Sequence, residues 1–154
     1  MTPLERLHEL GHELPNVPKP AGSYIPATIS GSLIFTAGQL PFVEGELAYT
    51  GKVGSSVTLE LAREAAQLCA LNALAAAADA AGGLDNIGRV VKVTGFVASA
   101  EGFTGQPGVI NEASDLLGEV FGDAGIHARS AVGVAELPLG SPVEVEMILE
   151  LASS

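Results

Sequence analysis

His127-Ala128-Arg129-Ser130-Ala131-Val132-Gly133-Val134-Ala135-Glu136-Leu137-Pro138, followed after a short turn by Val143-Glu144-Val145-Glu146-Met147-Ile148-Leu149-Glu150-Leu151, is the stretch whose reading decides the fold. Apolar and polar residues alternate along both segments, which is the period of half-buried β-strands, and Pro138, Gly140 and Pro142 mark the break between them. In the second strand Val143, Val145, Met147, Leu149 and Leu151 share one face, and Glu144, Glu146, Ile148 and Glu150 share the other. In the first, Arg129, Ala131, Gly133 and Ala135 lie on one face and Ser130, Val132, Val134 and Glu136 on the opposite one. A guanidinium on so apolar a ribbon is costly unless an anion meets it, and a planar carboxylate matches its fork best. Small residues beside Arg129 leave room for such a ligand. Joined as a hairpin centred near Leu139 and Gly140, the two strands set Glu144 opposite Glu136 and Arg129 opposite the strand end near Leu151. Arg129 and Glu144 are then roughly 23 Å apart along the ribbon, too far to share a pocket within one chain.

Outward from this ribbon, Ile110 to Phe121 has the helical stripe Ile110, Ala113, Leu117, Val120 and ends at Gly122. Before it, Arg89 to Ala98 is Val-rich and alternating, a strand in which Gly95 marks a bulge or a close contact. A long helix follows Thr58, its expected N-cap, with Glu60 in the first turn and Gly82-Gly83 as a left-handed stop. The many alanines of that helix allow close approach to a sheet. Pro41 to Ser56 reads as a loop with one short strand near Glu46 to Tyr49. Tyr24 to Ile29 and Ser32 to Thr36 read as strands around Ser30-Gly31-Ser32, with Pro26 confining the first to an edge. The order gives an α+β fold, a β-sheet with both helices packed on one face. Residues 1–21 form an N-terminal extension: an amphipathic helix from Thr2 to Leu10, an appendage, then a proline-rich linker over Leu14 to Pro20 that cannot be helical. Residues 22–154 form the single domain.

Composition narrows the function. Asp and Glu total 18 against 7 Lys and Arg, a formal charge of -11, which repels phosphate backbones and offers no basic stripe, so nucleic acid is not an expected partner. Cys69 is the single cysteine, which excludes an intramolecular disulfide, and the start MTPLERLHEL lacks the apolar core of a signal peptide. A cytoplasmic setting is the expectation. No apolar run reaches the roughly 20 residues that span a bilayer, so no membrane association is expected.

The pattern Arg129-Ser130-Ala131-Val132, Val134-Ala135, Leu137-Pro138, then Val143-Glu144-Val145-Glu146, together with Phe35-Thr36-Ala37-Gly38-Gln39-Leu40-Pro41, closely resembles the Rid family (YjgF, also called L-PSP endoribonuclease). The resemblance runs from about Gly22 to the C-terminus. The longer N-terminus and the loop Gly102-Phe103-Thr104-Gly105-Gln106-Pro107 look like those of a distinct subgroup. The resemblance implies a chorismate-mutase-like fold with a mixed sheet, assembled as a homotrimer with ligand pockets between subunits. It implies hydrolysis of reactive 2-imino acids to 2-keto acids and ammonia, with no cofactor. By residue, it implies that Arg129 binds the ligand carboxylate, Glu144 positions water, Tyr24, Ala37 and Gly38 line the pocket, and Asn111 contributes from the second helix. Where many relatives have a cysteine two residues after the arginine, this chain has Ala131, leaving only backbone groups to line the pocket there.

Blander readings stand beside these. Arg129 can serve an interface ion pair, Glu144, Glu146 and Glu150 can be a solvated strand face, Tyr24 a packed edge aromatic, and Asn111 a helix-surface residue. His8 and His12 have the spacing of a zinc pair but no evident third ligand, so no metal is expected. His127 reads as a structural histidine and Cys69 as a small core residue. Glycines 82, 83, 105 and 108 form no phosphate-binding fingerprint. The competing functions are a non-catalytic trimer that binds small carboxylated metabolites and, least favoured by the charge, a ribonuclease.

Overall fold

In the computed structural model, which describes residues 1–20 and 22–153, two crossover units build the sheet. Strands β1 (Ala27–Ser30) and β2 (Leu33–Thr36) form a hairpin, and a two-stranded ribbon, β3 (Phe42–Val43) and β4 (Glu46–Leu47), follows. Helix α2 (Leu59–Ala81), β5 (Ile87–Ala98), α3 (Gln106–Phe121), β6 (Ala128–Val134) and β7 (Val143–Leu151) complete the domain, and α1 (Pro3–Glu9) precedes it. The five-stranded sheet has the order β1-β2-β7-β5-β6. β5 pairs with β6 in parallel, and every other pairing is antiparallel, so the sheet is mixed.

The expected β6–β7 hairpin does not form. β5 lies between the two strands, pairing Val93 with Arg129 on one edge and with Met147 on the other. A strand followed by a helix and another strand returns in parallel, and β5, α3 and β6 are such a unit, which is the signal the alternation alone concealed. The connection from β6 to β7 therefore crosses the end of β5, where Ser99 N donates to Val134 O (3.0 Å) and Ala98 N to Pro142 O (2.9 Å). It must span two strand spacings, roughly 10 Å, which a tight turn does not reach. β2 and β5 are both antiparallel to β7, hence parallel to each other, and α2 is their crossover. Crossovers of one hand advancing in one direction across a sheet place α2 and α3 on the same face.

Capping follows the sequence. Thr58 Oγ1 accepts from Leu61 N (3.2 Å) at the start of α2, and Gly82 ends it at φ 82°. α2 is buried over most of its circumference, and its alanines let it pack at once against α3, β7 and the β3 segment. Gly95 is a close contact rather than a bulge, since a Cβ there collides with Ile110 of α3, and the register shifts of β5 fall nearer its start. α1 carries a full capping box between Thr2 and Glu5. Its Leu7 is completely buried in the common core, and Leu4 N donates to Asp85 Oδ1 (2.9 Å). The strand begun at Tyr24 in the sequence reading starts at Ala27, on the sheet edge where Pro26 confined it. No helix among the described residues is long and apolar enough to cross a membrane.

Candidate ligand site in two halves

The register across β6, β5 and β7 settles where the two charged residues of the closing segments lie. Val93, Gly95 and Val97 face the helices, so their partners Arg129, Ala131 and Gly133 on β6 and Met147, Val145 and Val143 on β7 do too. Glu144 pairs with Phe96 and points to the opposite face. Arg129 and Glu144 are two strands and three residues apart, roughly 14 Å rather than 23 Å, with the sheet between them.

The first half-site lies between the edge strand β6 and α3. Arg129 Nη1 donates to Asn111 Oδ1 (2.8 Å) and to Ser114 Oγ (3.2 Å), both on α3. Among the described residues no carboxylate pairs with Arg129; the ion pairs there are Lys52–Glu136 (2.9 Å) and Arg63–Glu112 (4.0 Å). Ala131 is the next residue on the same face of β6. Beyond it Gly133 leaves space for the Gln106 side chain, whose Nε2 donates to Ser99 Oγ (3.1 Å) and Phe103 O (2.8 Å). A guanidinium held only by neutral acceptors keeps its charge for an anion.

The second half-site lies where the chain leaves β2. Ala37 N donates to Pro26 O (2.8 Å), and Gln39 exchanges backbone hydrogen bonds with Val145 (2.8 and 3.0 Å), so Gly38 lies directly beside Glu144. The Glu144 carboxylate occupies the space a Cβ on Gly38 would need, which only glycine leaves open. Tyr24, Gly38 and Phe42 line one cleft with Pro18, Lys19 and Pro20 of the N-terminal segment. Burial, and secondarily the neighbouring Glu146 carboxylate, pushes the Glu144 carboxyl above the usual range. No side chain among the described residues bonds to that carboxylate.

Two residues outside the expected set support these halves. Asn72, buried on α2, donates through Nδ2 to Leu40 O (3.0 Å) and Phe42 O (3.1 Å), pinning the loop after Gly38. A lone amide in an alanine run was its only signal. Ser114 holds Arg129, and its spacing of three from Asn111 places both on one face of α3. Cys69 is fully buried, its Sγ meets Val143 O at 3.5 Å, and burial raises its thiol well above the ordinary value. Among the described residues no three His, Cys, Asp or Glu side chains gather as metal ligands would.

Residues 4–151 match the family described as "YjgF/chorismate mutase-like, putative endoribonuclease". The chain is 44% identical over 146 residues to protein TCP17 of Trypanosoma cruzi, covering 94% of this chain and 91% of that one. It is 31% identical over 135 residues to a 2-iminobutanoate/2-iminopropanoate deaminase of Dermatophagoides farinae, covering 88% of this chain and 91% of the relative. The crystal structure of Atu1372 from Agrobacterium tumefaciens, a protein of unknown function, superposes with a TM-score of 0.90 at 47% identity, covering 97% of this chain and 92% of that one.

Proposed function

The chain belongs to the YjgF/chorismate mutase-like family, and on that premise we propose that it hydrolyses reactive 2-imino and enamine acids to 2-keto acids and ammonia, at a site formed between copies of the chain. The observation that carries this reading is the Arg129 guanidinium, fixed by Asn111 and Ser114 with no acid among the described residues to neutralise it. The relative from Dermatophagoides farinae, named a 2-iminobutanoate/2-iminopropanoate deaminase, supplies the reaction class.

The chemistry needs aim and a base. A protonated imine carbon is already electrophilic, so no covalent nucleophile is required. Arg129 holds the substrate carboxylate by charge-assisted hydrogen bonds and fixes the imine carbon against the pocket wall. Glu144 accepts a proton as water adds to that carbon, while the imine nitrogen becomes an amine. It then returns the proton to the departing nitrogen, and as the C–N bond breaks the adduct's hydroxyl gives its own proton back to the carboxylate, leaving the carbonyl and ammonia; that last proton, the one the protonated imine brought, then passes to solvent. Its raised pKa suits both the accepting and the donating step.

Because Arg129 and Glu144 lie on opposite faces of one sheet, a pocket that uses both draws them from different copies. The face carrying Glu144 supports assembly: Phe35 is 37% and Val132 44% exposed there, among partly buried Ile148 and Phe96. A homotrimer, the family's expected assembly, would cover this face.

The test is to generate 2-aminoacrylate in situ from serine with a pyridoxal-dependent dehydratase and follow pyruvate release. Addition of the protein is expected to accelerate release, and Glu144→Gln to abolish the acceleration. Unchanged release in the presence of the protein would leave the binding-only alternative.

A further inference from the structure

The half-site at β6 holds a chain of hydrogen bonds that reaches behind Arg129. Ser114 Oγ lies 2.9 Å from His127 Nε2, and His127 Nδ1 lies 2.6 Å from the Gly125 carbonyl oxygen. A carbonyl only accepts, so Nδ1 carries the proton of the neutral ring and Nε2 is left as an acceptor. The Ser114 hydroxyl must then donate to Nε2, and its lone pairs receive Arg129 Nη1 at 3.2 Å. The order is fixed in one direction: Arg129 to Ser114, Ser114 to His127, His127 to Gly125. The far end is rigid, because Gly125 is packed so tightly on the Leu117 carbonyl at the end of α3 that a Cβ there collides with it.

We propose that Ser114 and His127 are positioning residues that set the plane of the Arg129 guanidinium, so that its Nε and Nη2 edge receives the ligand carboxylate side-on. The proposal rests on the carboxylate-binding reading of Arg129 given above. Both bonds to α3 fall on Nη1, one to Asn111 and one to Ser114, which uses the two hydrogens of that nitrogen. Among the described residues nothing bonds Nε or Nη2, and together they present the two parallel donors that a carboxylate matches. Asn111 is exposed, so its single bond leaves the long arginine side chain free to swing about it. The second bond, backed by His127, removes that freedom. Ala131, next on the same face of β6, adds only a methyl group beside the arginine.

The experiment titrates 2-oxobutanoate, a keto acid of the product class, into the full-length protein by calorimetry, alongside turnover of 2-aminoacrylate generated in situ. Arg129→Ala is expected to abolish binding. Ser114→Ala and His127→Phe are expected to raise Kd about 5- to 10-fold with kcat nearly unchanged, and Ser114→Thr, which keeps the hydroxyl, to restore wild-type binding. Loss of binding in Arg129→Ala with full binding in Ser114→Ala overturns the relay and leaves the functional reading standing. Equal binding by wild type and Arg129→Ala overturns the functional reading and the positioning role with it. A second measurement needs no ligand: imidazole nitrogen shifts at about pH 8, above the ordinary histidine range, assigned with His127→Phe. They are expected to show His127 protonated on Nδ1, and a proton on Nε2 instead would overturn the relay directly.

Discussion

Arg129 and Glu144 are both charged groups on an apolar sheet, yet the fold treats them in opposite ways. Arg129 is held: two neutral side chains of α3 fix one nitrogen, and a histidine and a backbone carbonyl stand behind them. Glu144 is left without a hydrogen-bonding side chain among the described residues, half-buried over the bare backbone of Gly38 and beside a second carboxylate. A group that binds must be still before the ligand arrives, whereas a group that moves protons must have a charged form that is easy to discharge. Fixed donors serve the first need, and desolvation serves the second.

The largest expected effect tests whether the halves work together across copies. Arg129→Ala and Glu144→Gln should each lower deaminase activity by on the order of 100-fold or more. Mixed, dissociated and reassembled, the two inactive proteins should regain activity, because about a quarter of the composite sites would combine an intact Arg129 with an intact Glu144 from a neighbour. No recovery on mixing, with assembly verified by light scattering, would break the two-copy picture.

A pair of glycines sharpens the contrast between site and scaffold. In Gly38→Ala the new methyl displaces the end of the Glu144 side chain, so kcat should fall about 10-fold while the melting temperature changes little. In Gly95→Ala the methyl meets Ile110 inside the core and pushes α3 from the sheet, so stability should fall by about 1–3 kcal/mol in denaturant titrations. The reverse assignment of losses would remove Gly38 from the site.

The smallest effect concerns proton affinity. Burial first and Glu146 second raise the Glu144 pKa, which disfavours its ionised form in the folded chain. Any stability linked to this group is therefore present below its unfolded pKa and is lost as pH rises through the folded one. For activity the sign is simple: the acid limb of the pH profile, set by formation of the Glu144 carboxylate, should move to lower pH in Glu146→Gln. An acid limb that stays in place would show that Glu146 does not bear on the base.

Much of this was legible in the chain. Thr58 and Gly82 bound α2 because cap chemistry is local, and the alternation of Val143 to Leu151 put Glu144 on the face away from the helices. The neighbours of β6 were not legible. Alternation says which side chains share a face but not which strand lies alongside, and Ala131 and Gly133 are too small to announce a buried side. The hairpin between β6 and β7 was the nearest pairing in sequence, and it lost to a β5 strand of 12 residues that pairs along both edges. Ser114 and Asn72 were equally hidden, since a single polar residue on a helix acquires its role only from what packs against it.

The sequence by itself therefore determined the long helices and the main sheet strands, the caps of α2, the two-sidedness of β7 and the residues that resemble a ligand site, because these follow from local geometry and from the period of burial. Only the tertiary structure decided that β5 separates β6 from β7, that Arg129 faces α3, and that Ser114 and His127 stand behind the arginine. Those outcomes depend on competition among strands and on contacts between residues distant in the chain, and no local pattern encodes them.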